Sequence, residues 1–307
     1  MKRILKIVIT TINIIIFVFL SSCLISKNRN YPWYFSFLNI TGEGFSGQTV
    51  CLIDSGYCDG FNEENIIDKY NVFDDSDEVW DENGHGSAML SLLIGYESKK
   101  IKIYGINPTC KVVIIKAVDK YGHCSVDNME EAIIYASNYK HSIISISLGT
   151  YKDDIKIKNA INVAKMNSCE IVAAAGDDNK NTIMYPAMYE DVNAITCQTK
   201  TGEKYILGNS NEKTFFCPGV NVDILNFNKY ETLNVKKETG SSISTILFTG
   251  VLSLFDLSKE TINYQYLTEC KKSKVFFDKE MIIVRWYIEE NSNTFFYFVF
   301  SYCQCIY

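Results

Sequence analysis

The stretch "TVCLIDSG", residues 49–56, decides how the chain is read. Six residues, mostly apolar and β-branched, end on Asp54, and a turn of small residues follows at once. A short apolar run bounded by turn residues predicts a buried strand. The pattern recurs at "VVIIKAV" (112–118), "IISISL" (143–148), "EIVAAA" (170–175) and "VNAITC" (192–197). Between these runs lie "HGSAMLSLLIGY", "VDNMEEAIIYASNY" and "DIKIKNAINVAKM", with apolar residues at helical spacing. Ser125, with Asp127 close behind, marks the start of the second of these helices. The alternation predicts an α/β fold: a doubly wound, mostly parallel sheet flanked by helices, with right-handed crossovers. Ligands on such sheets meet the carboxyl ends of the strands, which is where Asp54 falls.

The 307 residues are 47% hydrophobic, enough to fill a substantial core. The net charge is −6 and no Lys/Arg block stands out, which argues against a nucleic-acid partner. Residues 1–22 are set apart from the fold. Lys2, Arg3 and Lys6 precede "IVITTINIIIFVFL", a basic region followed by an apolar one, as in a signal peptide. "LSSC" ends at Cys23 and resembles a bacterial lipobox, in which that cysteine is lipidated. The chain is also uncharged from Ile7 to Ile25, the length of a membrane anchor. Secretion, lipidation and anchoring remain three open readings, and each of them exports the rest of the chain.

There are eleven cysteines. An exported compartment permits disulfides, but Cys51 sits inside a strand pattern and reads as a buried thiol. Cys303 and Cys305 are too close for a relaxed bridge and too isolated for a zinc site, and no CxxC pair occurs. The last segment, 261–307, ends in "TFFYFVFSYCQCIY" and reads as an extension packed on a single domain of residues 30–260.

Three positions at strand and helix junctions carry chemistry. Asp54 ends the first strand, His85 lies between two glycines at a helix start ("ENGHGSAML"), and Ser242 lies just inside another helix start ("ETGSSIS"). Serine hydrolysis needs a nucleophilic hydroxyl, a base within hydrogen-bond reach, and a buried carboxylate that fixes the base's tautomer. A helix N-terminus also offers backbone N–H groups to a developing oxyanion. Taken singly, these are a turn, a cap residue and an N-cap. Their order and spacing make them a set.

The set resembles the subtilisin-like serine peptidases (subtilases), whose triad runs Asp, His, Ser. The residues are 31 and 157 positions apart, intervals typical of that family. The segment "YGINPTCKVVIIKAVDKYGHCSVDNMEEAIIYASNYKHSIISISLG" is similar to the family's stretch from the post-histidine loop to its substrate-binding strand. "AAAGDDNKNTIMYPAMYEDVNAITC" resembles the stretch that bears its oxyanion residue, and "FCPGVNV" its Ala-Pro-Gly turn with Cys217 for alanine. The resemblance implies that Asp54 orients His85, His85 deprotonates Ser242, and Ser242 attacks the scissile carbonyl. It implies that Ser147, Leu148 and Gly149 pair with an extended protein or peptide substrate by strand addition, with Ala174, Ala175 and Gly176 lining the first specificity pocket. His123 and His141 have no paired motif and read as solvated or structural.

Departures from the family pattern matter too. Ile243, Ser244, Thr245 and Ile246 follow the nucleophile where the family has Met-Ala and then Pro-His. No pro-domain is expected before the catalytic domain. The Gly95–Ile106 loop is short for the family's calcium loop. No cofactor is expected; calcium through acids such as Asp59 or Asp74 is compatible with the sequence, but no motif specifies it. Asp177 stands where the family places an asparagine that donates to the oxyanion. An ionised carboxylate is acceptor-only and cannot make that bond, whereas a protonated Asp177 could take the oxyanion-hole role. The reading is therefore an exported serine endopeptidase, with a catalytically impaired, peptide-binding relative as the alternative.

Overall fold

The structure is a computed structural model that describes residues 31–38, 40, 48–227, 233–255 and 257. The leader with Cys23 and the C-terminal run 294–307 lie outside the described residues, as does the whole second compact unit, 277–307.

Within the first unit, seven strands form the central sheet: β1 (Thr49–Asp54), β2 (Ile66–Asn71), β5 (Lys111–Lys116), β6 (Ile143–Ile146), β7 (Glu170–Ala174), β8 (Asn193–Gln198) and β9 (Phe215–Pro218). They lie in the order β2-β5-β1-β6-β7-β8-β9, and every neighbouring pair is parallel. The first strand is central, between β5 and β6, so the chain builds outward on one side and then on the other. Five of the strands coincide with the apolar runs of the sequence. The two edge strands, β2 ("IIDKYN") and β9 ("FFCP"), lack that pattern because an edge strand is only partly covered. Two small antiparallel hairpins complete the strands. They are β3 (Tyr96–Glu97) with β4 (Lys102–Ile103), and β10 (Val222–Asn226) with β11 (Asn234–Glu238).

The helices are α1 (Trp33–Phe37), α2 (His85–Ile94), α3 (Val126–Ser137), α4 (Ile155–Met166) and α5 (Ser241–Leu252). The Ser125 hydroxyl accepts from the Asn128 N–H at 3.0 Å, so Ser125 caps α3 as its sequence indicates. Asp154 caps α4 in the same way through Lys156. These two helices cover one face of the sheet, where Ile53, Ile115, Ile133, Ile144, Ile161 and Ile171 form a buried core. Cys51 is in that core, fully buried, and all seven described cysteines are free thiols.

On the other face, α2 and α5 pack together. Eleven of the twelve residues of α5 are buried, and Ser242 is the exception. A helix apolar on all sides belongs inside a fold. Burial fixes α5 rigidly and brings its N-terminus to the carboxyl ends of the strands.

Candidate active site

Asp54 is buried, with its carboxylate held by its own neighbour: the Ser55 N–H donates to Oδ1 at 2.8 Å. The Ser55 hydroxyl accepts from the Gly86 N–H at 2.9 Å, tying the β1 turn to the start of α2. The two segments touch so closely that a Cβ on Gly86 would sit 2.2 Å from the Gly56 carbonyl oxygen. This explains the glycine after His85. The glycine before it, Gly84, has φ +93°, where a side chain is strained. The histidine is thus aimed by backbone. Its Nδ1 lies 2.8 and 2.9 Å from the two carboxylate oxygens of Asp54.

The imidazole is 37% exposed and Asp54 only 2%. Burial works against protonating His85, but the Asp54 carboxylate, by charge and by hydrogen bond, more than offsets it. Asp81 adds to the same side and Lys236 opposes it. The net effect holds the pKa of His85 above the ordinary histidine value.

Two supports escaped the sequence reading. Asp81 is fully buried; it accepts from the N–H groups of Asn83 (3.0 Å) and Gly84 (2.7 Å), and from the Ser87 N–H (2.8 Å) and hydroxyl (2.6 Å). It satisfies the orphan donors where α2 begins. Lys116, at the end of β5, donates to the carbonyls of Ser55 (2.9 Å) and Trp80 (2.8 Å) and pairs with Glu82 at 2.7 Å. Replacing Asp81 by alanine leaves four donors without their acceptor and is expected to cost about 3 kcal/mol, read as a lowered urea midpoint at unchanged slope. A loss below about 1 kcal/mol would show that the donors find other partners.

Ser242, the second residue of α5, shares one cavity of about 300 Å³ with His85 and Asp177. Its hydroxyl donates to the Ser147 carbonyl at 3.1 Å. That carbonyl lies just past the end of β6, so the Ser242 hydroxyl is tied to the segment expected to pair with substrate. The hydroxyl is thus turned to Ser147 and not to the His85 ring.

Asp177 faces the same end of α5. Both its oxygens accept from the Ser241 N–H, at 2.9 and 2.8 Å, and Oδ2 also accepts from the Ser241 hydroxyl at 2.8 Å. The acid therefore takes donors and offers none. Beside it, burial first and then the Asp177 carboxylate push the Cys197 thiol up to about 12. Asn179 is exposed at φ +57° with its N–H bound to the Leu207 carbonyl.

Gly149 sits where a Cβ would meet the Tyr185 carbonyl at 2.6 Å, and Thr150 and Tyr185 exchange backbone bonds of 2.8 and 2.7 Å. Leu148 packs partly buried against the core. Ala174 is buried but stands outside that core, while Ala175 is wholly within it. The side chain of Ala175 thus belongs to the packing and not to an open pocket, because side chains alternate along a strand. Gly176 is closely flanked by Asn209 and Met184. His123 is 81% exposed and His141 lies in an exposed turn, both apart from this cluster. Among the described residues no group of three or more His, Cys, Asp or Glu side chains is placed to hold a metal.

The sequence profile of the subtilase family matches residues 46–263, more than half of the chain and every residue of this site. The chain belongs to the subtilase family. This subtilase is 30% identical over 155 residues to the thermophilic serine proteinase of Bacillus sp. (strain AK1), covering 50% of this chain and 39% of that protein. It is 29% identical over 251 residues to the major intracellular serine protease of Bacillus subtilis (strain 168), covering 76% of each. The thermostable alkaline protease of Halalkalibacterium halodurans is 25% identical over 75% of this chain and 64% of its own length. Several of these relatives are therefore longer than the part this subtilase matches. A solved cold-adapted subtilisin-like serine proteinase has the same fold, with a TM-score of 0.65 at 18% identity, covering 78% of this chain and 90% of that one. By name the relatives include extracellular and intracellular proteins. Among the described residues no helix is long and apolar enough to cross a membrane.

Proposed function

We propose that this subtilase is a serine endopeptidase in which Ser242 attacks the scissile carbonyl, His85 takes and then returns the proton, and Asp54 holds His85 in the working tautomer. The observation that carries the reading is the Nδ1 contact of His85 with a buried Asp54, at 2.8 Å, in the cavity that also holds Ser242. The Nδ1–H donates to the carboxylate, which leaves Nε2 free to act as base. The Ser241 N–H is taken by Asp177, so the backbone N–H of Ser242 itself serves the oxyanion at the start of α5. An extended substrate pairs with Ser147, Leu148 and Gly149. The test is labelling with a fluorophosphonate probe, followed by mapping of the modified residue by mass spectrometry; modification at Ser242 is expected, and its absence overturns the reading.

The pH dependence follows from His85. The imidazole must be neutral to accept a proton, and its pKa is held above the ordinary value of about 6.5. The acid limb of kcat/KM is therefore expected to titrate above 6.5, and activity is lost as the pH falls through that limb. A limb at or below 6.5 contradicts the pairing.

A second reading, a peptide-binding relative with impaired catalysis, is favoured by Asp177. Its carboxylate accepts from Ser241 and adds negative charge near the place where an oxyanion forms. Asp177→Asn is then expected to raise turnover, by up to roughly 10²-fold if a full donor is gained. Turnover of a peptide substrate between pH 5 and 9 tests this. The assignment of Asp177 fails if Asp177→Asn is no faster at any pH while Asn179→Ala collapses.

Export is part of the same proposal and is supported by the basic-apolar leader and Cys23. Cell fractionation of the wild type and Cys23→Ser distinguishes the routes. Wholly cytosolic protein in both overturns export, and release of Cys23→Ser alone from the membrane fraction is the result expected of lipidation.

A further inference from the structure

The hairpin of β10 and β11 forms one wall of the catalytic cavity, and it brings charges there that the triad does not use. Lys236 and Glu238 point to the same face of β11 and pair at 2.8 Å, each about half exposed. Both line the cavity with His85 and Ser242. The other lining residues are neutral or apolar except Asp177, whose oxygens are occupied by Ser241. Any substrate side chain entering this cavity meets the Lys236–Glu238 pair.

With the acyl half on Ser147–Gly149, the cavity falls on the leaving-group side. The acyl half of the substrate runs along Ser147–Gly149, and that segment does not line it. His85, which does, hands its proton to the departing amine. The first residue after the scissile bond therefore projects toward β11. Of the residues that line the cavity, Asp177 and Glu238 carry carboxylates and Lys236 the one ammonium. Glu238 is the nearer of the pair to Ser242 along the strand. Its carboxylate is held below its usual range first by Lys236 and, among lesser causes, by His85, so it is ionised at neutral pH. A cation is drawn into such a field, and an anion there is repelled.

Resting on the peptidase reading, we infer that Glu238 is a specificity-determining residue that favours a basic side chain immediately after the scissile bond, with Lys236 as its competitor for the carboxylate. The pair acts through substrate binding, and removing either partner moves the preference in opposite directions.

The experiment uses the full chain and three quenched-fluorescence peptides that differ only in the residue after the scissile bond: arginine, glutamine or glutamate. The wild type is expected to prefer arginine over glutamate by roughly tenfold in kcat/KM, since exposed charge contacts are individually weak but attraction and repulsion act together. Glu238→Gln is expected to remove most of that ratio, and Lys236→Met to enlarge it. The ratio is expected to shrink in 1 M salt, where the screening length falls to about 3 Å. Equal cleavage of the three peptides, or a ratio untouched by Glu238→Gln, overturns the inference while Ser242 still takes the fluorophosphonate label. A wild type that neither labels at Ser242 nor cuts any peptide overturns the peptidase reading itself, and the subsite with it.

Discussion

Replacing Ser242 by alanine is expected to lower the turnover of a peptide substrate by on the order of 10⁶-fold, the scale seen when the nucleophile of such a unit is removed. The other hydroxyl lining the cavity, that of Thr239, accepts from the Asn221 N–H at 3.0 Å. The hydroxyl of the neighbouring Ser241 is bound to Asp177 at 2.8 Å, and the Cys197 thiol is buried and pushed up to about 12. The substitution is also gentle to the fold. Ser242 is the one residue of α5 that is not buried, and the bond lost is a single one to the Ser147 carbonyl. Unchanged thermal unfolding with abolished fluorophosphonate labelling is the expected pair of results. Labelling that persists in Ser242→Ala would place the nucleophile elsewhere.

Asp54→Asn is expected to cost roughly 10⁴-fold in turnover. The reason is directional. The Asp54 carboxylate accepts from both His85 Nδ1 and the Ser55 N–H. An asparagine can keep the Ser55 bond through its carbonyl, but then presents its amide hydrogens to His85. Nδ1 must become the acceptor, the proton moves to Nε2, and the base facing Ser242 is blocked. The volume is unchanged, so a small stability loss with a large rate loss separates this mechanism from general damage. A rate loss below about tenfold would mean that Asp54 does not set the tautomer.

Much of this site is legible in the sequence because its parts sit at junctions. Asp54 ends an apolar run, His85 follows a glycine that can turn, and Ser242 opens a helix. Five strands are legible for the same reason, each being a run of apolar residues that a parallel sheet buries on both faces. The edge strands are not, since half-covered residues carry no such pattern. Asp81 and Lys116 are not legible either. An acid in "DENG" reads as a turn, and only the folded chain brings it against Ser87. Lys116 is a charged residue at the end of an apolar strand, and its carbonyl partners are 61 and 36 residues away. Asp177 is intermediate: its position is legible, but its engagement by Ser241 depends on the packing of α5.

The order of the sheet has a consequence for the timing of synthesis. Asp54 and His85 leave the ribosome early, on the central strand and the helix packed on it, while Ser242 comes on the last described helix. At about 5–20 residues per second, the 157 residues from His85 to Ser242 take on the order of ten seconds to add. Until α5 packs behind β6, β7 and β8, the growing chain has Asp54 and His85 in place but not the Ser242 hydroxyl. A parallel sheet of distant strands also assembles slowly. On the peptidase reading, the nascent polypeptide can cut nothing before Ser242 has been added and α5 has docked.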